Sequence, residues 1–334
     1  MKTHYSLLYS ILGLFLFENN ANAQPSQRFE YSQPAMGTVL SLILYASDSA
    51  TAKKAASEAF IRVQHLNQVF SDYIPNSELN RLCQKSGEKT PVQISDELFE
   101  VLLQANTISK QTKGSFDVTI GAYTKIWRQA KKTGKFPSKK QLMAAKKTTG
   151  YKRLLLNKDN KTALLKKKGT QLDLGGIAKG YTADAVLLIL KQYGIKQALV
   201  DFGGDIAISN PPPNQDGWNI EVSYTDHTGK KISDIISLSN SAIATSGNLY
   251  QKVIIDGKTY SHIINPYTGI GITGNIQISV IAPNATLADS FASSFSILSK
   301  RKIEKLLLKN KGVHVFSVET KGNSTDLWHS AYFN

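Results

Sequence analysis

A chain of 334 residues that is 41% hydrophobic and holds one cysteine can bury a real core, and it does so without disulfide cross-links. Its net charge of +15 is concentrated: residues 125–168 carry fourteen Lys and two Arg against a single acid, Asp159, while the rest is neutral overall. These lysines lack interleaved stacking aromatics, which argues against nucleic acid and leaves two readings, a solvated face or a docking surface for an acidic partner, a phosphate-bearing ligand or an anionic membrane face.

In chain order, Lys2 and His4 precede an apolar run over residues 5–17, and Ala21-Asn22-Ala23 offers a small-x-small cleavage site. The run is too short to cross a bilayer and suits a signal peptide, so residues 1–23 are expected to be removed and the mature chain, from Gln24, to be soluble and periplasmic. No cysteine stands at the cleavage site to carry a lipid. A β-rich segment at 38–45 is followed by an Ala-rich helical pattern at 50–70. Cys83 reads as a bland free thiol. A second helix is predicted from Asp96 to about Lys110, capped by Ser95, with Leu98, Val101, Leu102, Ala105 and Ile108 on one face and Gly114 just beyond. Short strands at 151–156 and 163–166, joined by an Asp-Asn turn, come next.

Residues 172–184, LDLGGIAKGYTAD, read as the end of a strand over 171–174, a glycine turn at Gly175-Gly176, and a helix from Ala178 to about Tyr193 ended by Gly194. Glycines admit close backbone approach, and a helix N-terminus offers unpaired N–H groups to an anion. The spacing is neither a dinucleotide fingerprint nor a P-loop, so by itself the stretch is equally a plain strand-to-helix turn. Further on, a strand at 200–205 runs into Gly203-Gly204. An Asp256-Gly257 hairpin then precedes His262, which sits at a strand end before a Pro-x-x-Gly turn and is the one histidine placed as a general base. In the helix predicted at 284–298, capped by Asn284, Asp289 and Ser293 are spaced i,i+4 beside the apolar stripe. An acid there needs a partner, either a neighbouring loop or a hard cation such as Mg2+.

Seven short motifs occur in order: Met36-Gly37-Thr38; Ser71-Asp72-Tyr73 with Ser77-Glu78-Leu79-Asn80; Gly114-Ser115-Phe116-Asp117; the stretch from Asp173 to Tyr181; Thr245-Ser246-Gly247; His262-Ile263-Ile264-Asn265-Pro266; and Ala288-Asp289 with Ser293. Together, from about Met36 to about Leu298, they resemble the FAD:protein FMN transferases, the ApbE family. The resemblance implies an α+β, T-fold-like architecture, a mainly antiparallel sheet packed with helices. With no Pro/Ser-rich linker to divide the chain, residues 24–334 are expected to form one catalytic domain.

The resemblance also assigns roles. Met36, Tyr73, Ser115, Phe116, Asp117, Asp173, Lys179 and Ile264 are expected to line the site for FAD, which is the substrate, and Gly176, Asp289 and Ser293 to hold Mg2+. It implies transfer of FMN to a threonine of an exported target flavoprotein, such as a subunit of an electron-transfer complex. A Mg2+-dependent FAD pyrophosphatase and a non-catalytic flavin-binding module are the alternatives. Two positions depart from the family pattern: Ser293 replaces a usual Thr and keeps the hydroxyl, and Asn265 replaces a usual Asp. Asn265 either removes a charge that tunes His262 or serves only to build the turn.

Overall fold

The computed structural model describes residues 26–247 and 252–330; the leader expected at 1–23 lies outside the described residues. Strands β1 (Gln27–Ala35) and β2 (Thr38–Ala46) form a hairpin. Both residues of its loop, Met36 and Gly37, have positive φ (47° and 80°), the mirror-image turn that matches the twist of paired strands. Helix α1 (Ser49–Phe70) starts where the Asp48 carboxylate accepts from the Thr51 amide at 2.8 Å. After α2 (Glu78–Gln84) and the short β3 (Val92–Gln93), α3 (Asp96–Gln111) begins at Ser95 as predicted. The Ser95 hydroxyl accepts from the Leu98 amide and donates to the Glu78 carboxylate at 2.7 Å, which ties the starts of α2 and α3 together.

Helices α4 (Gly121–Thr133) and α5 (Lys139–Lys146) lead to β4 (Leu154–Asn157) and β5 (Thr162–Leu165). Helix α6 (Ala178–Gln192) is followed by β6 (Ala198–Phe202), β7 (Ile206–Ile208), β8 (Trp218–Thr225), β9 (Lys231–Leu238) and β10 (Ser241–Gly247). Next come β11 (Lys252–Ile255), β12 (Lys258–Ser261), β13 (Asn275–Ala282), α7 (Ala285–Phe295), α8 (Lys300–Leu307), β14 (His314–Lys321) and β15 (Ser324–His329).

Eight strands form one antiparallel sheet in the order β1-β2-β6-β7-β10-β13-β14-β15. The period of two along β10 and β13 separates its faces. Ala242, Ala244, Ile278 and Val280 join the core with α1, α6 and α7, while Ile243 and Ile281 turn to the opposite face and pack with Trp218 and Ile220 of the β8-β9 hairpin. Both faces are covered, so Gln277, Ser279 and Ile281 of β13 are buried along with Ile278, Val280 and Ala282. The α+β, mainly antiparallel architecture is the one the resemblance implies.

Three boundaries differ from the sequence reading. Residues 171–174 are not a strand: Gln171 makes a single parallel bridge to Ile120 and the Asp173 amide donates to Val118 O at 2.8 Å, with no ladder beyond because the chain turns at Gly175. Residues 151–153 form a 3₁₀ turn, closed by the Arg153 amide on Gly150 O, and the strand starts only at Leu154. Helix α7 ends at Phe295 rather than Leu298. The Ser294 and Ser296 hydroxyls donate back to Phe291 O and Ala292 O, and the chain tightens to i,i+3 bonds at Ile297 and Leu298.

Candidate active site

The stretch at 172–184 is built against the start of α7. A Cβ on Gly180 would lie 2.2 Å from Ala285 O, so only glycine lets α6 approach this closely. One turn on, Asp184 accepts from the Ala285 and Thr286 amides, each at 2.8 Å, and so satisfies the free N-terminus of α7. This contact places Asp289 beside α6, where its Oδ2 accepts from the Gly180 amide at 3.2 Å. Burial and the nearby charge of Asp205 push the Asp289 carboxyl up to about 8. Lys179 forms an ion pair with the buried Asp205. Burial alone would lower the Lys179 ammonium, but Asp205, Asp289 and Asp201 together push it up, so it stays charged.

The glycine turn faces the same helix. The Asp173 carboxylate accepts from the Gly175 amide at 2.7 Å, which fixes the turn. A Cβ on Gly176 would meet Ser293 Oγ at 2.9 Å and the Phe116 ring at 3.4 Å. Ser293 in turn lies 3.3 Å from Ser246 Oγ on β10. Gly176 thus lies against Ser293, and Asp289 stands one turn before Ser293 on α7, so a turn carbonyl, a hydroxyl and a carboxylate, the donor types of a hard divalent cation, fall along one stretch of this helix. The side-chain-free backbone at Gly176 keeps that stretch open, so these residues fit Mg2+. Among the described residues no group of three His, Cys, Asp or Glu side chains forms a ligand cluster.

A second wall joins residues far apart in sequence. The Arg128 guanidinium reaches Asp72 Oδ2 at 2.5 Å and Asp173 Oδ2 at 3.7 Å, and its carbon lies 3.9 Å from the centre of the exposed Tyr73 ring. Burial and the Asp173 charge raise the Asp72 carboxyl, and Arg128 opposes both. A cleft of about 290 Å3 opens here, lined by Asp72, Tyr73, Asn80, Cys83, Lys125 and Gln171 among others. Met36, in its positive-φ turn, receives a long 3.8 Å contact from the Thr182 hydroxyl and so borders α6.

The Gly-Ser-Phe-Asp turn is tied down by its own side chains. Ser115 Oγ donates to Thr112 O at 3.1 Å, and the buried Asp117 accepts from the Thr119 amide and hydroxyl at 2.8 and 2.7 Å. Burial raises the Asp117 carboxyl. Of this trio it is Phe116 whose side chain reaches the glycine turn.

His262 is exposed just past β12. Its position is set by the Ser261 amide on Ile272 O (2.8 Å) and the Ile272 amide on Ile263 O (2.9 Å). Ile264 is buried in a cluster with Tyr123, Trp127 and Tyr260. Asn265 Oδ1 accepts from the Tyr267 amide at 2.9 Å, so this side chain builds the turn. Trp127 Nε1 donates to Gly269 O at 2.8 Å. Consecutive residues of α4, Trp127 and Arg128, therefore fix the histidine turn and the Tyr73 wall at once.

Asp205, Asp184, Trp127 and Arg128 carry no role in the sequence reading. For Arg128 the one available signal is that it is one of two arginines among the fourteen lysines of residues 125–168.

The ApbE family model matches residues 36–317, most of the chain and the whole span of the seven motifs. The chain belongs to the ApbE family. A Chlamydia muridarum protein named FAD:protein FMN transferase is 30% identical over 305 residues, 90% of this chain and 92% of its own length. A Haemophilus influenzae protein of the same name is 30% identical over 270 residues, 79% of this chain and 78% of its own. Among solved structures, the flavin transferase ApbE from Vibrio cholerae superposes with a TM-score of 0.83 at 26% identity, covering 92% of this chain and 99% of that one. The ApbE protein from Thermotoga maritima gives 0.80 at 26% identity, covering 92% and 98%.

Proposed function

We propose that this ApbE-family chain is a Mg2+-dependent FAD:protein FMN transferase, acting as one catalytic domain over residues 24–334 after export to the periplasm. The observation that supports the reading is the Gly176 turn lying against Ser293 on α7, one turn from the buried Asp289, which accepts from the Gly180 amide beside the Lys179-Asp205 ion pair. A buried acid at a site of hard oxygen donors suits a cation that in turn holds a substrate pyrophosphate. The names of the relatives supply the substrate and the kind of acceptor.

In this reading Tyr73, Phe116, Asp173, Lys179, Met36 and Ile264 bind FAD, with Ser115 and Asp117 holding the Phe116 turn rigid. Arg128 orients Tyr73 and keeps Asp72 and Asp173 from repelling each other. Gly176, Asp289 and Ser293 would hold Mg2+, which supplies neutralisation of pyrophosphate and leaving-group charge when bound. His262, exposed where a protein hydroxyl can meet it, takes the proton from a threonine of the target flavoprotein. The threonine oxygen bonds to the FMN-side phosphorus, the bond from that phosphorus to the bridging oxygen breaks, and AMP leaves with that oxygen. Targets of this kind include subunits of electron-transfer complexes.

The test incubates the chain with FAD and Mg2+, with and without a threonine-bearing acceptor, and follows AMP together with flavin fluorescence on denatured protein. Covalent flavin that needs both acceptor and Mg2+ supports the transferase. AMP and free FMN regardless of acceptor would make it a pyrophosphatase, and flavin retention with no AMP a binding module.

A further inference from the structure

We infer that α5 and the basic lobe around it form a docking surface for an anionic lipid membrane. Of the fourteen lysines between residues 125 and 168, Lys161, paired with Asp96 at 2.6 Å, is the only one with a carboxylate within salt-bridge distance among the described residues. The lobe is continuous. The Thr170 hydroxyl donates to Thr148 O at 3.2 Å and the Lys166 amide to Arg153 O at 2.9 Å, so residues 166–168 lie beside the C-terminal end of α5. A field of one sign with so little internal compensation attracts a polyanion over about a Debye length, ~8–10 Å at ordinary ionic strength.

The apolar side chains decide which polyanion. Ala145 is the only fully buried residue of α5, so the helix lies on the surface rather than in the core. Met143 is 53% exposed and stands four residues after Lys139, three after Lys140, three before Lys146 and four before Lys147. Those are the spacings of neighbours on a helix surface, so Met143 sits within a ring of four exposed lysines. Phe136, just before the helix, is 40% exposed while one side of its ring packs on Trp127 and Tyr260, and Leu155 on β4 is 43% exposed. A free phosphate uses the charge alone, whereas four lysines around one exposed apolar side chain match a plane of anionic headgroups over an apolar interior. A bilayer uses both, with the lysines at the headgroups and Met143 at the acyl boundary. Helix α4 carries Arg128 at the site and Lys131 and Lys132 one turn further on, so a docked lobe holds the reaction centre beside the membrane plane. The inference rests on charge and exposure and stands independently of the transferase reading.

The experiment is co-sedimentation of the whole chain with vesicles of phosphatidylcholine alone or with about 30% phosphatidylglycerol. Binding is expected to the anionic vesicles only, and to be lost at about 0.5 M salt. Replacing Lys139, Lys140, Lys146 and Lys147 together by Gln should weaken it at least ~10-fold, because each lysine near the surface contributes to attraction. Met143→Ser should weaken it with the salt dependence kept. The inference fails if anionic vesicles do not bind the chain, if both lipids bind it equally, or if the four-Gln variant binds as the parent does. Binding to polyglutamate without binding to vesicles would assign an acidic protein partner and overturn the lipid assignment.

Discussion

Arg128 lies 3.9 Å over the Tyr73 ring while its two terminal nitrogens face the carboxylates of Asp72 and Asp173. One planar cation separates two acids and props an exposed ring, a combination an ammonium cannot reproduce. Both Arg128→Ala and Arg128→Lys are therefore expected to weaken FAD binding roughly tenfold, about 1.4 kcal/mol. Titration of flavin fluorescence checks this, and wild-type affinity in the Lys variant would show that the planar fork does not matter.

Asp289 is a buried acid whose carboxyl is pushed up to about 8 by burial and the nearby Asp205 charge. Its folded value lies above the ordinary 3.8, so in metal-free protein its contribution is full below about 4 and is lost as the pH rises through about 8. Asp289→Asn should leave metal-free Tm at pH 8 unchanged or raise it by about 2 °C. The same variant should abolish the Tm increment from Mg2+ and lower turnover at least ~100-fold. Melting curves with and without Mg2+ separate these effects, and a Mg2+ increment retained by the Asn variant would remove Asp289 from the cation site.

Gly180 is required by a helix contact. The methyl of Gly180→Ala would meet the Ala285 backbone at 2.2 Å, and α6 and α7 must part to admit it. A loss of about 1–3 kcal/mol in urea unfolding is expected. Full stability would mean that the start of α7 can shift freely.

Cys83 is buried, accepts from the Leu172 amide at 3.2 Å, and has its thiol pushed up to about 11 by burial. Thiolate is the reactive form, so native protein at pH 8 should resist alkylation and become labelled only on unfolding. Stability from this group is complete below its ordinary value near 9 and is lost as the pH rises through about 11. Rapid labelling of folded protein would show that the adjoining cleft admits reagent to the sulfur.

Asn265 accepts from the Tyr267 amide through a carbonyl oxygen that an aspartate also has. Asn265→Asp should keep stability within about 0.5 kcal/mol, and Asn265→Ala should lose about 1 kcal/mol. A pH–rate profile of the Asp variant then reads the charge effect on His262 alone: a carboxylate that faces the ring would raise the pH at which the basic form appears.

Much of this molecule is legible in its sequence because the signals are local. Ser95 and Asn284 cap the helices they precede, and Asp256-Gly257 makes its hairpin, since caps and turns are settled within four residues. Asp289 and Ser293 are readable as a pair for the same reason. What stays hidden depends on distance along the chain. Arg128 meets Asp72 across 56 residues and Lys179 meets Asp205 across 26, and no period or cap encodes such contacts. The strand expected at 171–174 fails because a short polar-apolar alternation acquires a ladder only if a neighbour lies alongside, and here the segment bridges Ile120 at one residue. The Lys-rich segment conceals α4, whose face carries both Trp127 and Arg128, beneath a charge signal that describes only its solvent side.

The contact between the Gly180 amide and Asp289 spans 109 residues, and it sets a schedule for biosynthesis. The strands from β6 to β15 add to the sheet in the order in which they are made, so the sheet grows in one direction as the chain lengthens. The glycine turn and α6 emerge early, but the other half of the site arrives with α7, after β13 is in place. A nascent chain released or cut before α7 would hold a helix face with no partner and lack Asp289 and Ser293.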